Sequence, residues 1–161
     1  MNDVLLRPAR PDESQALTSL MRRSKAHWGY PQAFLDRVRD QLTITPAAIR
    51  DERVMVAERA GAAIGFYQLT GRPPCAHLED LFLAPEVIGT GLGRLLWEHA
   101  LASAAEAGCQ ELTLESDPHA EPFYLRMGAQ RIGAREVAPG RVLPVMRMVL
   151  DDDAQVSQRT S

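Results

Sequence analysis

Three glycines stand at alternate positions directly before a helix-forming run, in residues 85–97 with the sequence PEVIGTGLGRLLW. Glycine weakens a helix start, so local stability does not explain Gly89, Gly91 and Gly93. The first N–H groups of a helix lack internal acceptors, and the helix dipole is positive there, so an anion binds well. Without Cβ atoms, phosphate oxygens can approach those groups. A tight turn is the simpler alternative, but the position after a predicted strand favours phosphate binding.

The spacing of these glycines fits the two common nucleotide-binding patterns poorly. A P-loop requires Lys after its last glycine, and Arg94 follows Gly93 here. A dinucleotide fingerprint reads G-x-G-x-x-G and usually lies in the first strand–helix unit. Here the pattern is G-x-G-x-G and lies in the middle of the chain, so another phosphate-bearing ligand is indicated.

The elements that position this loop follow from the hydrophobic patterns. Residues 3–8 predict a strand, followed by helices at 11–28 and 31–42 and a short helix capped by Thr45. The runs RVMVAER and AAIGFYQLT predict a hairpin, AHLEDLFL a central strand and RLLWEHALASAAEAG a helix. A strand QELTLES, a helix from Asp117 to Gly128 and a hairpin around APG follow. This order predicts a mixed α/β fold on one sheet, as a single domain over residues 1–150 with a polar, disordered tail at 151–161.

Two stretches together resemble the GNAT superfamily of acyl-CoA-dependent N-acyltransferases. HLEDLFLAPEVIGTGLGRLLWEHAL resembles the region with Arg/Gln-x-x-Gly-x-Gly/Ala, with Ile88 in place of Arg or Gln. DPHAEPFYLRMGA resembles Asn-x-x-Ala-x-x-Phe-Tyr-x-x-x-Gly-Phe, with Asp117 and Ala129 replacing Asn and the last Phe. The resemblance covers residues 3–150. It implies the GNAT fold, a central and mostly antiparallel sheet flanked by helices, with two splayed strands that form the acyl-CoA cleft.

The same resemblance implies acetyl-CoA as the acyl donor and no metal. In the family, the loop amides hold the coenzyme A pyrophosphate, and the matching positions here are Ile88, Gly89, Thr90, Gly91, Leu92 and Gly93. Arg94 is expected either to reach a phosphate or to be solvated. The backbone of Leu81, Phe82 and Leu83 is expected beside the pantetheine arm, with one N–H polarising the thioester carbonyl. Asp117 replaces an Asn that contacts the coenzyme in some relatives, although helix capping is the role we favour for it.

Acyl transfer from a thioester to an amine needs a proton acceptor for the amine and a proton donor for the departing thiolate. The resemblance implies that Tyr124, close to the coenzyme sulfur, is the acid, while we expect Phe123 to pack in the core. His77 and Glu79 alternate along a strand and share one face. We prefer Glu79 as the base, with His77 as second choice, and a strand-edge ion pair without a catalytic role as the alternative. The two residues lack a third partner for a metal site.

The aromatic patch SKAHWGYP corresponds to the region that lies over the acceptor pocket in the family. Trp28 and Tyr30 are therefore predicted to bind the acceptor, and a hydrophobic lid on the core is the alternative.

Cys75 and Cys109 have no paired His base, so direct attack by the amine is expected rather than an acyl-enzyme. The function predicted is transfer of acetyl to a primary amine. A non-catalytic acyl-CoA-binding sensor or accessory module stays open because Ile88, Asp117 and Ala129 depart from the family pattern.

Composition restricts the class of partner. The net charge is −3, and because the last eleven residues hold three Asp and one Arg, residues 1–150 carry about one negative charge. A nucleic-acid partner is not expected from this balance. No apolar run approaches the length of a membrane helix, and the N-terminus has no signal-peptide pattern. We expect a cytoplasmic protein with reduced thiols that acts on a small-molecule or peptide amine, and the resemblance adds a homodimer.

Overall fold

The computed structural model describes residues 3–150. Its strands are β1 (Leu5–Pro8), β2 (Arg53–Arg59), β3 (Ala62–Arg72), β4 (Cys75–Leu83), β5 (Glu111–Glu115), β6 (Gln130–Ala138) and β7 (Arg141–Val149). Its α-helices are α1 (Ser14–Ala26), α2 (Gln32–Arg37), α3 (Pro46–Asp51), α4 (Leu92–Glu106) and α5 (Glu121–Arg126). Short 3₁₀ turns at Pro11–Glu13 and Pro85–Val87 precede α1 and α4. The tail predicted at 151–161 lies outside the described residues.

The strands form one seven-stranded sheet in the order β1-β2-β3-β4-β5-β7-β6. Antiparallel pairing joins β1 to β2, β5 to β7 and β6 to β7. The pair β4–β5 is parallel, and its ladder joins Cys75–His77 to Glu111–Thr113. The mixed α/β class and the central position of β4 are thereby confirmed.

The described chain divides into two compact units, residues 3–68 with 80–97 and residues 69–79 with 98–150. The first unit buries apolar side chains of α1, β2, β3 and the start of α4, which include Leu17, Leu20, Val56, Phe66 and Leu96. The second buries Leu112, Leu114 and Met146 from β5 and β7. In β5 and β7 of the second unit, buried residues alternate with more exposed ones, as in a sheet with one covered face. The strand β3 buries six consecutive residues, 64–69, so both of its faces are covered there.

Local sequence signals account for the turns and for one helix start. Ala60 and Gly61 join β2 to β3 with φ of 52° and 80°, the left-handed values that suit a two-residue hairpin turn. The side chain of Thr45 accepts a hydrogen bond from the N–H of Ala48 at 3.1 Å, which caps α3 as predicted. No helix within residues 3–150 is long and apolar enough to cross a membrane.

The second helix, α2, is shorter than the sequence predicts. We expected the second helix to reach residue 42, but α2 ends at Arg37. The guanidinium of Arg22 donates instead to the carbonyl oxygens of Leu42 at 3.1 Å and Arg39 at 3.4 Å. These tertiary hydrogen bonds hold the segment after α2 in turns, which helix propensity alone does not reveal.

The prediction that Asp117 caps its helix is wrong. The helix α5 begins at Glu121, with Ala120 in the capping position. The carboxylate of Asp117 accepts from the N–H of His119 at 2.8 Å. This short-range hydrogen bond between residues two apart stabilises a turn in place of the first helical turn.

A partly buried ion-pair network joins β1, β2 and the turn before α1. Arg7 donates to both carboxylate oxygens of Glu13 at 2.8 Å and to Glu58 at 3.1 Å. The hydrogen bonds from Arg7 lower the pKa of Glu13 from 4.5 to about 2, against the opposing effect of burial. The charged form of Glu13 is therefore the one that stabilises the fold.

Because this pKa is lowered on folding, the stabilisation is fully present above pH 4.5 and is lost as the pH falls towards about 2. We expect Glu13→Gln to lower the free energy of unfolding by about 2 kcal/mol at pH 7 and by much less at pH 2. Urea unfolding of both proteins at several pH values measures this difference. Asp12→Asn, which changes the neighbouring carboxylate with 82% side-chain exposure, is the control. A Glu13→Gln deficit that stays constant with pH contradicts the prediction.

Candidate functional site

The loop between β4 and α4 takes a conformation that needs glycine. Gly89 and Gly91 have φ of 83° and 93°, which side-chain-bearing residues rarely adopt. Thr90 between them donates its hydroxyl to the carbonyl oxygen of Val87 at 2.6 Å, which closes the turn. The left-handed backbone at Gly89 and Gly91 accounts for two of the three glycines by the tight-turn alternative, and Gly93 already lies inside α4. The prediction that these glycines admit a phosphate stays a prediction.

The start of α4 has the features of an anion site. The first bond of the helix runs from the N–H of Leu95 to the carbonyl oxygen of Gly91 at 3.1 Å. The N–H groups of Leu92 and Gly93 precede it and so have no acceptor within the helix. A Cβ added to Gly89 would meet nothing within 4 Å, so open space lies beside the loop. The fifteen-residue helix adds the positive end of its dipole, which favours an anion at this end.

The residues predicted beside the pantetheine arm lie at the end of β4. Leu81, Phe82 and Leu83 are each half-buried. The ring of Phe82 stacks on Phe66 with centroids 6.1 Å apart. A Cβ on Gly65 would lie 3.1 Å from Cδ2 of Leu83, so the backbone of β3 approaches this side chain closely. Packing of Phe82 and Leu83 within the first unit fixes the conformation of this end of β4.

The two candidate bases lie together on the exposed face of β4. Nε2 of His77 lies 3.7 Å from a carboxylate oxygen of Glu79, with side chains 35% and 52% exposed. Nδ1 of His77 lies 3.1 Å from the hydroxyl oxygen of Thr113. The alternation of the strand therefore places them as predicted. Thr113 was not predicted, because its place opposite His77 depends on the register of the parallel pair, for which the sequence carries no signal.

Tyr124 is buried and Phe123 is only half-buried, which reverses the expectation that Phe123 packs in the core. Tyr124 is 6% exposed, and its ring meets that of Phe123 edge-on at 5.1 Å. The carbonyl oxygen of Tyr124 accepts from the N–H of Ala129 at 3.0 Å, which joins the end of α5 to the start of β6. These contacts fix the position of the phenol ring in the second unit.

Asp117 lies in a small charged cluster. Its carboxylate lies 3.0 Å from Nδ1 of His119 and 3.7 Å from the guanidinium of Arg141. The side chains of Asp117 and Arg141 are 17% and 22% exposed, so the two charges offset each other in partly buried surroundings. Sequence inspection did not connect Arg141 with Asp117, because they are 24 positions apart and only the closing hairpin brings them together.

The aromatic patch after α1 is partly exposed. Trp28 is 39% exposed, and its ring meets that of His27 edge-on at 5.3 Å. Tyr30 stacks on Phe34 at 4.5 Å, and the ammonium group of Lys25 lies 5.0 Å from the Tyr30 ring. The Tyr30 ring thus contacts two neighbours and is half-buried, whereas Trp28 is exposed.

The predicted site residues are divided between the two units. The glycine loop, Leu81–Leu83, Trp28 and Tyr30 belong to the first, and His77, Glu79, Asp117 and Tyr124 belong to the second. A groove of about 430 Å³ in the first unit is lined by Ser14, Thr18 and Arg22 of α1 and by residues 43–46, among others, and none of the predicted site residues lines it. Among the described residues, no three His, Cys, Asp or Glu side chains are grouped to hold a metal ion.

The acetyltransferase (GNAT) domain family matches residues 16–150. This match covers most of the chain, so the chain belongs to the GNAT family. Peptidyl-lysine N-acetyltransferase YjaB of Salmonella typhimurium is 36% identical over 87 residues, which are 53% of this chain and 56% of that protein. The chain thus spans little more than half the length of this relative. The 5-NmdU N-acetyltransferase of Pseudomonas phage PaMx11 is 30% identical over 130 residues, 78% of this chain and 86% of that protein.

The fold is shared with solved GNAT structures. The crystal structure of PaiA N-acetyltransferase from Thermoplasma acidophilum in complex with coenzyme A matches with a TM-score of 0.74. The match covers 91% of this chain and 98% of that chain at 19% identity. At this identity the likeness shows the fold alone, and it confirms the expected GNAT architecture.

Proposed function

We propose that the chain is an N-acetyltransferase that transfers the acetyl group of acetyl-CoA to a primary amine. The observation that carries the proposal is the loop before α4, with two left-handed glycines, open space beside Gly89 and helix-start N–H groups without acceptors in the helix. Such a loop suits the pyrophosphate of coenzyme A. Membership of the GNAT family supports the same acyl donor.

The chain's own residues supply the proton transfers in this proposal. Bound acetyl-CoA supplies an activated acyl group and a thiolate leaving group. Glu79 accepts the proton of the attacking amine, with His77 beside it at 3.7 Å. Tyr124 donates a proton towards the departing sulfur, and its burial in packed surroundings holds the phenol in place. A backbone N–H of Leu81, Phe82 or Leu83 polarises the thioester carbonyl.

The departure at Ile88 removes one side-chain contact and leaves the amides of the loop intact. Arg94 is exposed on the first turn of α4 and is proposed to approach a phosphate. Asp117 is a weaker candidate for contact with the coenzyme, because a carboxylate repels phosphates unless Arg141 offsets its charge. Trp28 and Tyr30 are proposed to contact the acceptor. The single domain over 1–150, the homodimer and the cytoplasmic location stay predictions.

The acceptor is proposed to be a small-molecule or peptide amine. Two relatives are named for different acceptors, a peptidyl lysine and 5-NmdU, so both kinds of amine belong in a first panel. Release of free thiol from acetyl-CoA, followed with each amine, tests the proposal. Amine-dependent thiol release supports an acetyltransferase, and coenzyme binding without release for any amine favours the non-catalytic module.

The glycine loop gives a direct test of coenzyme binding. We expect Gly89→Ala to weaken coenzyme A binding by about tenfold, because an L-residue in the left-handed region costs about 1–2 kcal/mol and the loop relaxes away from its binding shape. Isothermal titration calorimetry measures the dissociation constant. Gly61→Ala is the matched control, since Gly61 has φ of 80° and the same open surroundings in a hairpin turn. Equal coenzyme affinity in the two variants would contradict a role for the loop.

A further inference from the structure

Thr113 lies beside His77, the neighbour of the preferred base Glu79, in a position that gives it a chemical role. It stands opposite His77 in the parallel β4–β5 ladder, so both side chains project from the same face. Its Oγ1 lies 3.1 Å from Nδ1 of His77, whereas Nε2 of the same ring lies 3.7 Å from Glu79. The two nitrogens of one imidazole therefore face two different groups, a hydroxyl and a carboxylate.

We infer that Thr113 is a positioning residue that donates its hydroxyl hydrogen to Nδ1 of His77 and thereby directs the Nε2–H of His77 towards Glu79. A neutral imidazole has one donor and one acceptor nitrogen. An ionised carboxylate only accepts, so the nitrogen that faces Glu79 is the donor. Nδ1 is then the acceptor, and the group that meets it must donate, which a threonine hydroxyl can do.

The surroundings of Thr113 favour this direction of the hydrogen bond. The sulfur of Cys75 lies 3.9 Å from Oγ1 of Thr113, and the Cys75 thiol lies 3.5 Å from the carbonyl oxygen of Ala76, to which it donates. A thiol sulfur is a weak acceptor compared with an imidazole nitrogen. Between these two neighbours, the hydroxyl hydrogen of Thr113 goes to His77. Contacts thus run from Cys75 through Thr113 and His77 to Glu79 along one face of the two strands.

The consequence concerns the orientation of the base, and it rests on the proposed acetyl transfer. With its ring held at Nδ1, His77 presents one N–H to the carboxylate of Glu79 and restricts its rotamers. Without the hydroxyl, the ring can rotate and exchange tautomers, and Glu79 is held less firmly. We expect Thr113→Val to lower kcat by about tenfold, the effect of one hydrogen bond, and to leave the KM for acetyl-CoA unchanged. Thr113→Ser restores the hydroxyl and is expected to recover most of the rate.

The tautomer of His77 can be measured without any acceptor amine, so this inference is testable even if the proposed activity fails. Nitrogen-15 NMR of the ring, recorded at basic pH, distinguishes a protonated from an unprotonated Nδ1. We expect a single Nε2–H tautomer in the unmodified protein and in Thr113→Ser, and a mixture in Thr113→Val. Cys75→Ala, which changes the other neighbour of Thr113, is the control and is expected to keep the single tautomer.

Two results would overturn the inference. One is an Nδ1–H tautomer of His77 in the unmodified protein, a measurement that needs no variant to fold. The other is an unchanged tautomer in a folded Thr113→Val protein, which would leave Thr113 with a packing role only. Absence of acetyl transfer with a correct tautomer would instead count against the proposed function and leave the hydrogen bond in place.

Discussion

Replacing Tyr124 with Phe is expected to lower kcat by about a hundredfold or more and to leave the affinity for coenzyme A within about twofold. The substitution removes one oxygen from a side chain that is 6% exposed and keeps the ring that meets Phe123. A thiolate that leaves without a proton is a poorer leaving group, so the loss falls on the transition state rather than on binding. Single-turnover kinetics with acetyl-CoA measures the effect on the chemical step, and calorimetry measures the effect on coenzyme A binding.

The matched control for Tyr124 is Tyr67→Phe, which makes the same chemical change at a buried tyrosine of β3. We expect Tyr67→Phe to change the free energy of unfolding and to have little effect on kcat. Full turnover in Tyr124→Phe would reject the phenol as the acid. If the unmodified protein binds coenzyme A and shows no turnover with any amine, the acyl-CoA-binding module replaces the enzyme as the better explanation.

The sequence was sufficient to predict those features that depend on local backbone chemistry. The glycine loop was predictable because three closely spaced glycines stand between a predicted strand and a predicted helix. The left-handed φ values of Gly89 and Gly91 were not predicted. Alternation along β4 placed His77 and Glu79 on one face, because residues two apart in a strand share a face. The hairpin turn at Ala60–Gly61 and the cap at Thr45 follow equally from residues next to each other in the chain.

Features that depend on partners distant in sequence could not be predicted in this way. The pair Thr113 and His77 arises from the register of two parallel strands, and sequence periodicity gives the face of a residue but not its register. The ion pair between Arg141 and Asp117 joins residues 24 positions apart that only the closing hairpin brings together. The early end of α2 depends on Arg22, a residue of another helix. In each of these cases a tertiary contact determines the local structure, and local propensity does not reveal that contact.

The second large effect is expected from substitution of Glu79, the proposed base. Glu79→Gln should lower kcat/KM at neutral pH by about a hundredfold, because an amide cannot take up the proton of the attacking ammonium group. In this variant the acceptor amine must lose its proton before it binds. An alkyl amine such as lysine has an ordinary pKa of about 10.4, so we expect the rate of the variant to rise steadily with pH between about 7 and 10 and the deficit to shrink.

The comparison with His77→Gln decides between the two candidate bases. Since Nε2 of His77 lies 3.7 Å from Glu79, loss of the imidazole removes a neighbour of the carboxylate and is expected to cost about tenfold. A hundredfold loss in His77→Gln with a small loss in Glu79→Gln would reverse the roles. Glu106→Gln, at an exposed carboxylate near the end of α4, is the control for charge removal alone and is expected to leave kcat/KM unchanged. Small losses in both strand variants would instead mean that a water or another group accepts the proton, and that the two residues form only a surface ion pair.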